Sequence, residues 1–283
     1  WLLEGLETVA TEYAPRAGNP YVSRIDAGTI ELVKESGCQV VSSGDLVQRF
    51  EATWDENQVA MHREAEVITT SGFAVAWKAI AEATSNGGQV QESEIRQVIM
   101  DHYRDHLAVT YHPPIVARNE HAGNPHYETG TGTDTAIREG DLVLIDAGVE
   151  FEGYAADVTR TYPVGGRFEG YARAVYEVVL AAQEAALAAC RPGTDLDAIH
   201  EGTLRSLVEG MIDLGFFEGP VDAAIEAERF RPYYMHRTSH WLGLDVHDVG
   251  SYSRDGKPRP LEAGMAFTVE PGLYVPMNSP DPG

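Results

Sequence analysis

Residues 141–164 read DLVLIDAGVEFEGYAADVTRTYPV. Two apolar, β-branched runs, DLVLIDAG and GYAADVTRTYPV, flank a short turn, a pattern that predicts an antiparallel hairpin. Asp146 and Asp157 stand on these runs, eleven residues apart. A turn centred between Phe151 and Glu152 makes them direct cross-strand partners with both side chains on one face, their Cβ atoms about 4.5 to 5.5 Å apart. Two carboxylates that close, flanked by Leu144, Ile145 and Val158, repel unless one is protonated or a cation lies between them. A divalent metal is the economical explanation.

Further donors follow downstream. YYMHRTSHWLGLDVHDVG, residues 233–250, places His236, His240 and His247 within twelve residues. Its glycines and alternating Leu-Asp-Val argue for turn and strand, with one histidine as ligand and two outside it. In AGMAFTVEPGLYV, residues 263–275, an apolar strand ends in Glu270 before Pro271-Gly272. A buried acid there is costly unless paired or ligated, and it can accept a proton from an attacking water. Asp146, Asp157, His240 and Glu270 form an O/N donor set suited to Mn²⁺, Co²⁺ or Zn²⁺. Three carboxylates among four ligands can hold two ions, an arrangement that activates water and polarises a carbonyl, which points to hydrolysis. His126, in GNPHYETG, precedes the first aspartate strand by a loop and is expected to reach over the metals.

Composition bounds the rest. A chain of 283 residues, 43% hydrophobic and 23% charged, can bury a sizeable core. Apolar runs fall far short of the ~20 residues of a membrane span, and no basic n-region precedes an apolar h-region. Lys plus Arg is 21 against 44 Asp plus Glu, and the net charge of −23 repels nucleic-acid phosphates. Cys38 and Cys190 lack metal-ligand spacing, so ordinary packing in a reducing cytoplasm is expected.

Residues 27–50 read as helix, short strand and a second helix from near Ser43, with Gly37 as a stop signal, the tail of an α/β domain. A long amphipathic run then covers residues 55–83, and a boundary is expected at 53/54. A helix over residues 92–106 leads into extended residues 108–163. Residues 168–189 and 196–215 read as two more helices, Thr194 or Asp195 capping the second. Paired helices alternating with antiparallel-looking strand blocks indicate α+β rather than a doubly wound parallel sheet. The start at Trp1 and the coil-like NSPDPG end read as a fragment at both ends.

In this order LIDAGVEFEGYAADVTRTYPV, SHWLGLDVHDVG and MAFTVEPGLYV resemble the signatures of aminopeptidase P, the Xaa-Pro aminopeptidases of the M24 metallopeptidases. That family also holds prolidase, methionine aminopeptidase and creatinase. The resemblance implies the pita-bread fold over residues 54–283, two related α+β halves around a dinuclear centre usually assigned as manganese, preceded by the end of an amino-terminal α/β domain at residues 1–53. It implies that Asp146 binds one metal, that Asp157 and Glu270 are shared by both, and that His240 is the single histidine ligand. His126 and His247 resemble groups that contact substrate and stabilise the tetrahedral intermediate, and His236 a substrate-side proton-handling group. Glu270 resembles the proton acceptor. The implied activity is removal of an amino-terminal residue from peptides with proline second, by a homodimer or homotetramer. Prolidase, restricted to dipeptides, and a non-catalytic pita-bread binding module are the alternatives. Two departures stand out. The family's fifth ligand, a glutamate in a later G-I-R-I-E-D strand, and the arginine of that strand do not occur up to Gly283, so weakened binding of one metal is expected. Arg237-Thr238 stands where relatives often have small or apolar residues.

Overall fold

The hairpin carrying the two aspartates turns at Glu152 and Gly153, whose φ angles are 50° and 90°. Positive φ at both central positions is the type I′ geometry, whose twist matches that of the flanking strands, and Gly153 supplies it at no steric cost. The computed structural model describes residues 2–17, 23–130, 132–254 and 256–275; Trp1 and the NSPDPG end lie outside the described residues.

The chain opens with β1 (Thr8–Thr11), α1 (Ala27–Glu35) and β2 (Gln39–Ser42), the two strands parallel, followed by α2 (Gly44–Phe50). Asp26 caps α1 by accepting the Thr29 N–H, and Gly37 ends it with φ 90°. α3 (Glu56–Thr84) starts on a capping box in which Asp55 and Gln58 satisfy each other's backbone N–H groups. β3 (Val90–Gln91), α4 (Glu92–Asp105), β4 (Ile115–Arg118), β5 (Ala136–Ile137) and β6 (Leu142–Ala147) follow. The hairpin continues as β7 (Glu150–Phe151), β8 (Tyr154–Ala155) and β9 (Val158–Pro163), and then come α5 (Gly170–Ala189), α6 (Leu196–Asp213) and α7 (Val221–Glu226). Asp195 caps α6. The short β10 (Ser253–Arg254) and β11 (Lys257–Pro258) pair with each other.

The sheet nearest the aspartates has the order β4-β6-β9 and is antiparallel throughout. Along β6 the side chains alternate. Val143, Ile145 and Ala147 are wholly buried against Ile68, Phe73 and Ile80 of α3 and Ile95 and Ile99 of α4. Leu142, Leu144 and Asp146 therefore face away from the helices. The α3 start is tied to the hairpin tip by Gln58 Nε2 donating to the Tyr154 hydroxyl and by His62 Nδ1, 2.8 Å from the Ala155 carbonyl. A second layer, α5 against α6, encloses Leu207, Val208 and Met211, and Trp241 packs beside it on Ala186, Leu196 and Ile199.

The register corrects the expected pairing. Because the turn lies between Glu152 and Gly153, Asp146 pairs with Thr159 and Ala147 with Val158. Asp157 is thus a diagonal neighbour of Asp146, two residues from its partner and on the same face. Residues 263–275 also depart from expectation. They are extended without forming a regular strand, and segment 266–270 lies antiparallel to 238–242 through an isolated Trp241–Phe267 bridge. The Glu270 N–H donates to the Thr238 carbonyl and the Thr268 N–H to the His240 carbonyl, both at 2.9 Å, and the Leu242 N–H to Ala266 at 3.2 Å. The reciprocal donors of a full ladder are diverted to side chains: the His240 N–H goes to Thr268 Oγ1 at 3.0 Å and the Thr238 N–H to His200 Nδ1 at 3.3 Å.

Candidate metal centre

Two antiparallel pairs meet here, each offering ligands in diagonal relation across one intervening threonine. In the first, Asp146 opposes Thr159, two residues beyond Asp157; in the second, His240 opposes Thr268, two residues before Glu270. Asp157, His240 and Glu270 each present a ligand atom, all within 4.8 Å of one another. His240 Nε2 lies 3.3 Å from Asp157 Oδ2 and 3.2 Å from Glu270 Oε1. The other ring nitrogen, Nδ1, lies 2.9 Å from the Trp241 carbonyl and donates to it, which fixes the ring orientation and turns Nε2 toward the carboxylates. Nε2 is buried and has no aligned hydrogen-bond partner among the described residues. This one ring nitrogen and two carboxylate oxygens are a donor set that fits a divalent cation.

The electrostatics agree. Burial pulls the His240 imidazole down, but the Asp157 and Glu270 carboxylates overcome it and hold it at about 10. A proton there neutralises the charge that a cation would otherwise neutralise. Asp146 is pushed up to about 6 by burial and then by the Asp157 charge, with the Thr159 hydroxyl and His112 opposing. Asp146 stands outside the tight triad, beside Asp157 on the same face.

Sequence reasoning missed several neighbours. Thr268 donates its hydroxyl to Glu270 Oε1 at 3.0 Å. The Tyr111 hydroxyl lies 3.3 Å from Asp157 Oδ1 and 3.2 Å from the Ala156 carbonyl. Burial and the Asp157 charge raise that phenol far above its ordinary range, so it stays a donor. A Cβ on Gly148 would collide with this hydroxyl and with the Ala156 carbonyl, so only glycine lets Tyr111 reach the aspartate. The two threonines carry a readable signal, D-x-T and T-x-E, because residues two apart share a face in extended chain. Tyr111, in the loop before β4, carries none.

The outer histidines are placed unequally. The His247 ring stacks edge-on against His240, centroids 4.2 Å apart, and its pKa is lowered by burial and by the His240 charge. His236 holds the Arg237 carbonyl with Nδ1 at 2.8 Å, and its Nε2 lies 3.0 Å from the Tyr274 hydroxyl. The His126 ring is exposed, and among the described residues it makes no hydrogen bond or ring contact with the triad.

The profile of metallopeptidase family M24 matches residues 60–282. The chain belongs to metallopeptidase family M24. This M24 chain is 41% identical over 248 residues to the Xaa-Pro aminopeptidase of Haemophilus influenzae, covering 86% of the chain and 55% of that relative. It is 48% identical over 161 residues to the Xaa-Pro aminopeptidase of Escherichia coli, covering 57% and 36%. Among solved structures, the Pseudomonas aeruginosa aminopeptidase PepP aligns with a TM-score of 0.77 at 36% identity, over 89% of this chain and 56% of that one. Escherichia coli aminopeptidase P in complex with substrate aligns with the same TM-score at 32% identity, over 98% and 62%. The M24 chain thus spans about half the length of the relatives it matches, and its fold is the α+β pita-bread fold.

Proposed function

We propose that the protein is a dinuclear metal-dependent aminopeptidase that hydrolyses the Xaa-Pro bond at the amino terminus of peptides. The observation that carries this reading is the convergence of Asp157, His240 and Glu270 within 4.8 Å, with Asp146 on the adjoining strand. The names of the relatives, Xaa-Pro aminopeptidases and aminopeptidase P, support the substrate class. Asp146, Asp157, His240 and Glu270 would hold two ions, manganese first among candidates with cobalt or zinc suited to the same donors. Bound there, the ions supply water activation and carbonyl polarisation.

The residues of this chain do the rest. Glu270, held by Thr268, accepts the proton of the attacking water. The leaving atom is the proline nitrogen, which carries no N–H in the peptide and departs only when protonated. His236, whose Nε2 is held by the Tyr274 phenol, handles that proton, while His247, packed on His240, and His126 contact substrate and stabilise the tetrahedral intermediate. We assign residues 1–53 to the end of an amino-terminal α/β domain and 54–283 to the catalytic domain. Cys38, buried, and Cys190 are both free thiols, which supports a cytoplasmic setting. No described helix is long and apolar enough to cross a membrane. The net charge of −23 argues against nucleic-acid partners, and a homodimer or homotetramer is the expected assembly.

The test is Mn²⁺-dependent release of the first residue from Xaa-Pro-Xaa peptides by the intact protein, beside Xaa-Pro dipeptides. Chelator-sensitive cleavage of the longer peptides is expected. Cleavage of dipeptides alone would make it a prolidase, and neither cleavage nor bound metal would make it a binding module.

A further inference from the structure

His200 lies on α6, forty residues before His240 in the chain. Its Nδ1 receives the Thr238 main-chain N–H at 3.3 Å and stands 3.0 Å from Thr238 Oγ1. A nitrogen that accepts a main-chain N–H carries no proton, so the ring proton is on Nε2 and the Thr238 hydroxyl donates to Nδ1. The Tyr234 hydroxyl, 2.8 Å from Thr238 Oγ1, then donates in turn. Thr238 is wholly buried and Tyr234 nearly so. Burial and the Arg237 charge hold the His200 imidazole down at about 4, neutral across the physiological range.

This chain of bonds ends on the metal centre. The Thr238 carbonyl accepts the Glu270 N–H at 2.9 Å, and two residues on is His240. In a continuing ladder the Thr238 N–H would donate to segment 266–270; it turns to α6 instead. The segment that bears His240 and receives Glu270 is therefore pinned at one end by a single half-buried imidazole. An apolar side chain would fill the same volume but leave a buried N–H and hydroxyl without an acceptor, and the segment would move to find one.

We propose that His200 is a positioning residue for the metal centre: by accepting both Thr238 donors on Nδ1, it sets segment 238–242 against 266–270 and fixes the separation of His240 from Glu270. This rests on the metal-centre reading above.

The test titrates the intact protein with Co²⁺, reading the dissociation constant and the visible absorption band, in wild type, His200→Leu and His200→Asn, with circular dichroism to establish folding. Asn offers an oxygen where Nδ1 stood. His200→Leu is expected to weaken Co²⁺ binding by about 10-fold or more and alter the band, while His200→Asn stays within about threefold of wild type. Folded His200→Leu with wild-type affinity and spectrum would overturn the proposal, as would His200→Asn binding as weakly as His200→Leu. Should His200→Leu fail to fold, Thr238→Val read by the same titration decides, wild-type affinity overturning the proposal and a comparable loss supporting it. A wild type that binds no Co²⁺ overturns the metal-centre reading itself, a result distinct from equal binding by wild type and variant.

Discussion

Thr268 binds Glu270 with its hydroxyl and His240 through its backbone, the Oγ1 atom donating to Glu270 Oε1 and accepting the His240 N–H, both at 3.0 Å. One hydroxyl thus sets two ligands at once. Thr268→Val keeps the β-branched shape and removes both bonds. Metal affinity is expected to fall about 10- to 100-fold, with Thr268→Ser largely restoring it, as measured by competition with a chromogenic chelator. Wild-type affinity in Thr268→Val would show that Glu270 is held by other means.

The metal-free protein should lose stability as pH rises toward 10. His240 is held at about 10 in the folded chain against about 6.5 unfolded. A raised histidine contributes stability that is fully present below about pH 6.5 and lost as pH climbs through about 10. Melting temperatures of chelator-treated wild type and His240→Asn across pH 6 to 10 test this. The wild type is expected to fall more steeply, and parallel curves would refute the proton on Nε2. Metal must displace that proton, so apparent affinity should tighten over the same window.

Glu152 occupies the left-handed region with φ 50°, a position where asparagine is better suited. Glu152→Asn should raise stability by about 0.5 to 1 kcal/mol without touching the site. Urea denaturation would register the change as a higher midpoint at constant slope, whereas an unchanged midpoint would indicate that the turn stores no strain.

Ile145 is wholly buried against α3 and α4, one residue from Asp146 but on the opposite face of β6. Truncation to alanine should cost about 2 to 5 kcal/mol through lost burial and the cavity left behind. Metal affinity of the folded fraction should hold, because Asp146 points away from that core. Isothermal titration at a temperature where the variant is fully folded separates the two effects.

Much of this was legible in the sequence because it is written in local periodicity. Asp195 announces its helix, Gly37 ends another, and the alternation in DLVLIDAG puts Asp146 on the side opposite Val143 and Ile145. The turn is displaced by one residue from its expected centre because Gly153 occupies one of the two positive-φ positions, and placing it there shifts Asp146 opposite Thr159. The strand expected at residues 263–275 is incomplete because two of its partner's donors go to Thr268 and His200. Tyr111 and His200 stayed hidden for a related reason. Each acts on a residue dozens of positions away, Asp157 and Thr238, and only tertiary packing brings them within reach.

The diverted donors also give the centre a native reporter. An amide bonded to a backbone carbonyl exchanges its hydrogen when a strand opens, but those of Thr238 and His240 exchange when a side chain lets go. Isotope exchange at these two amides therefore gauges how firmly the ligands are preset, in the resting protein and without any substrate.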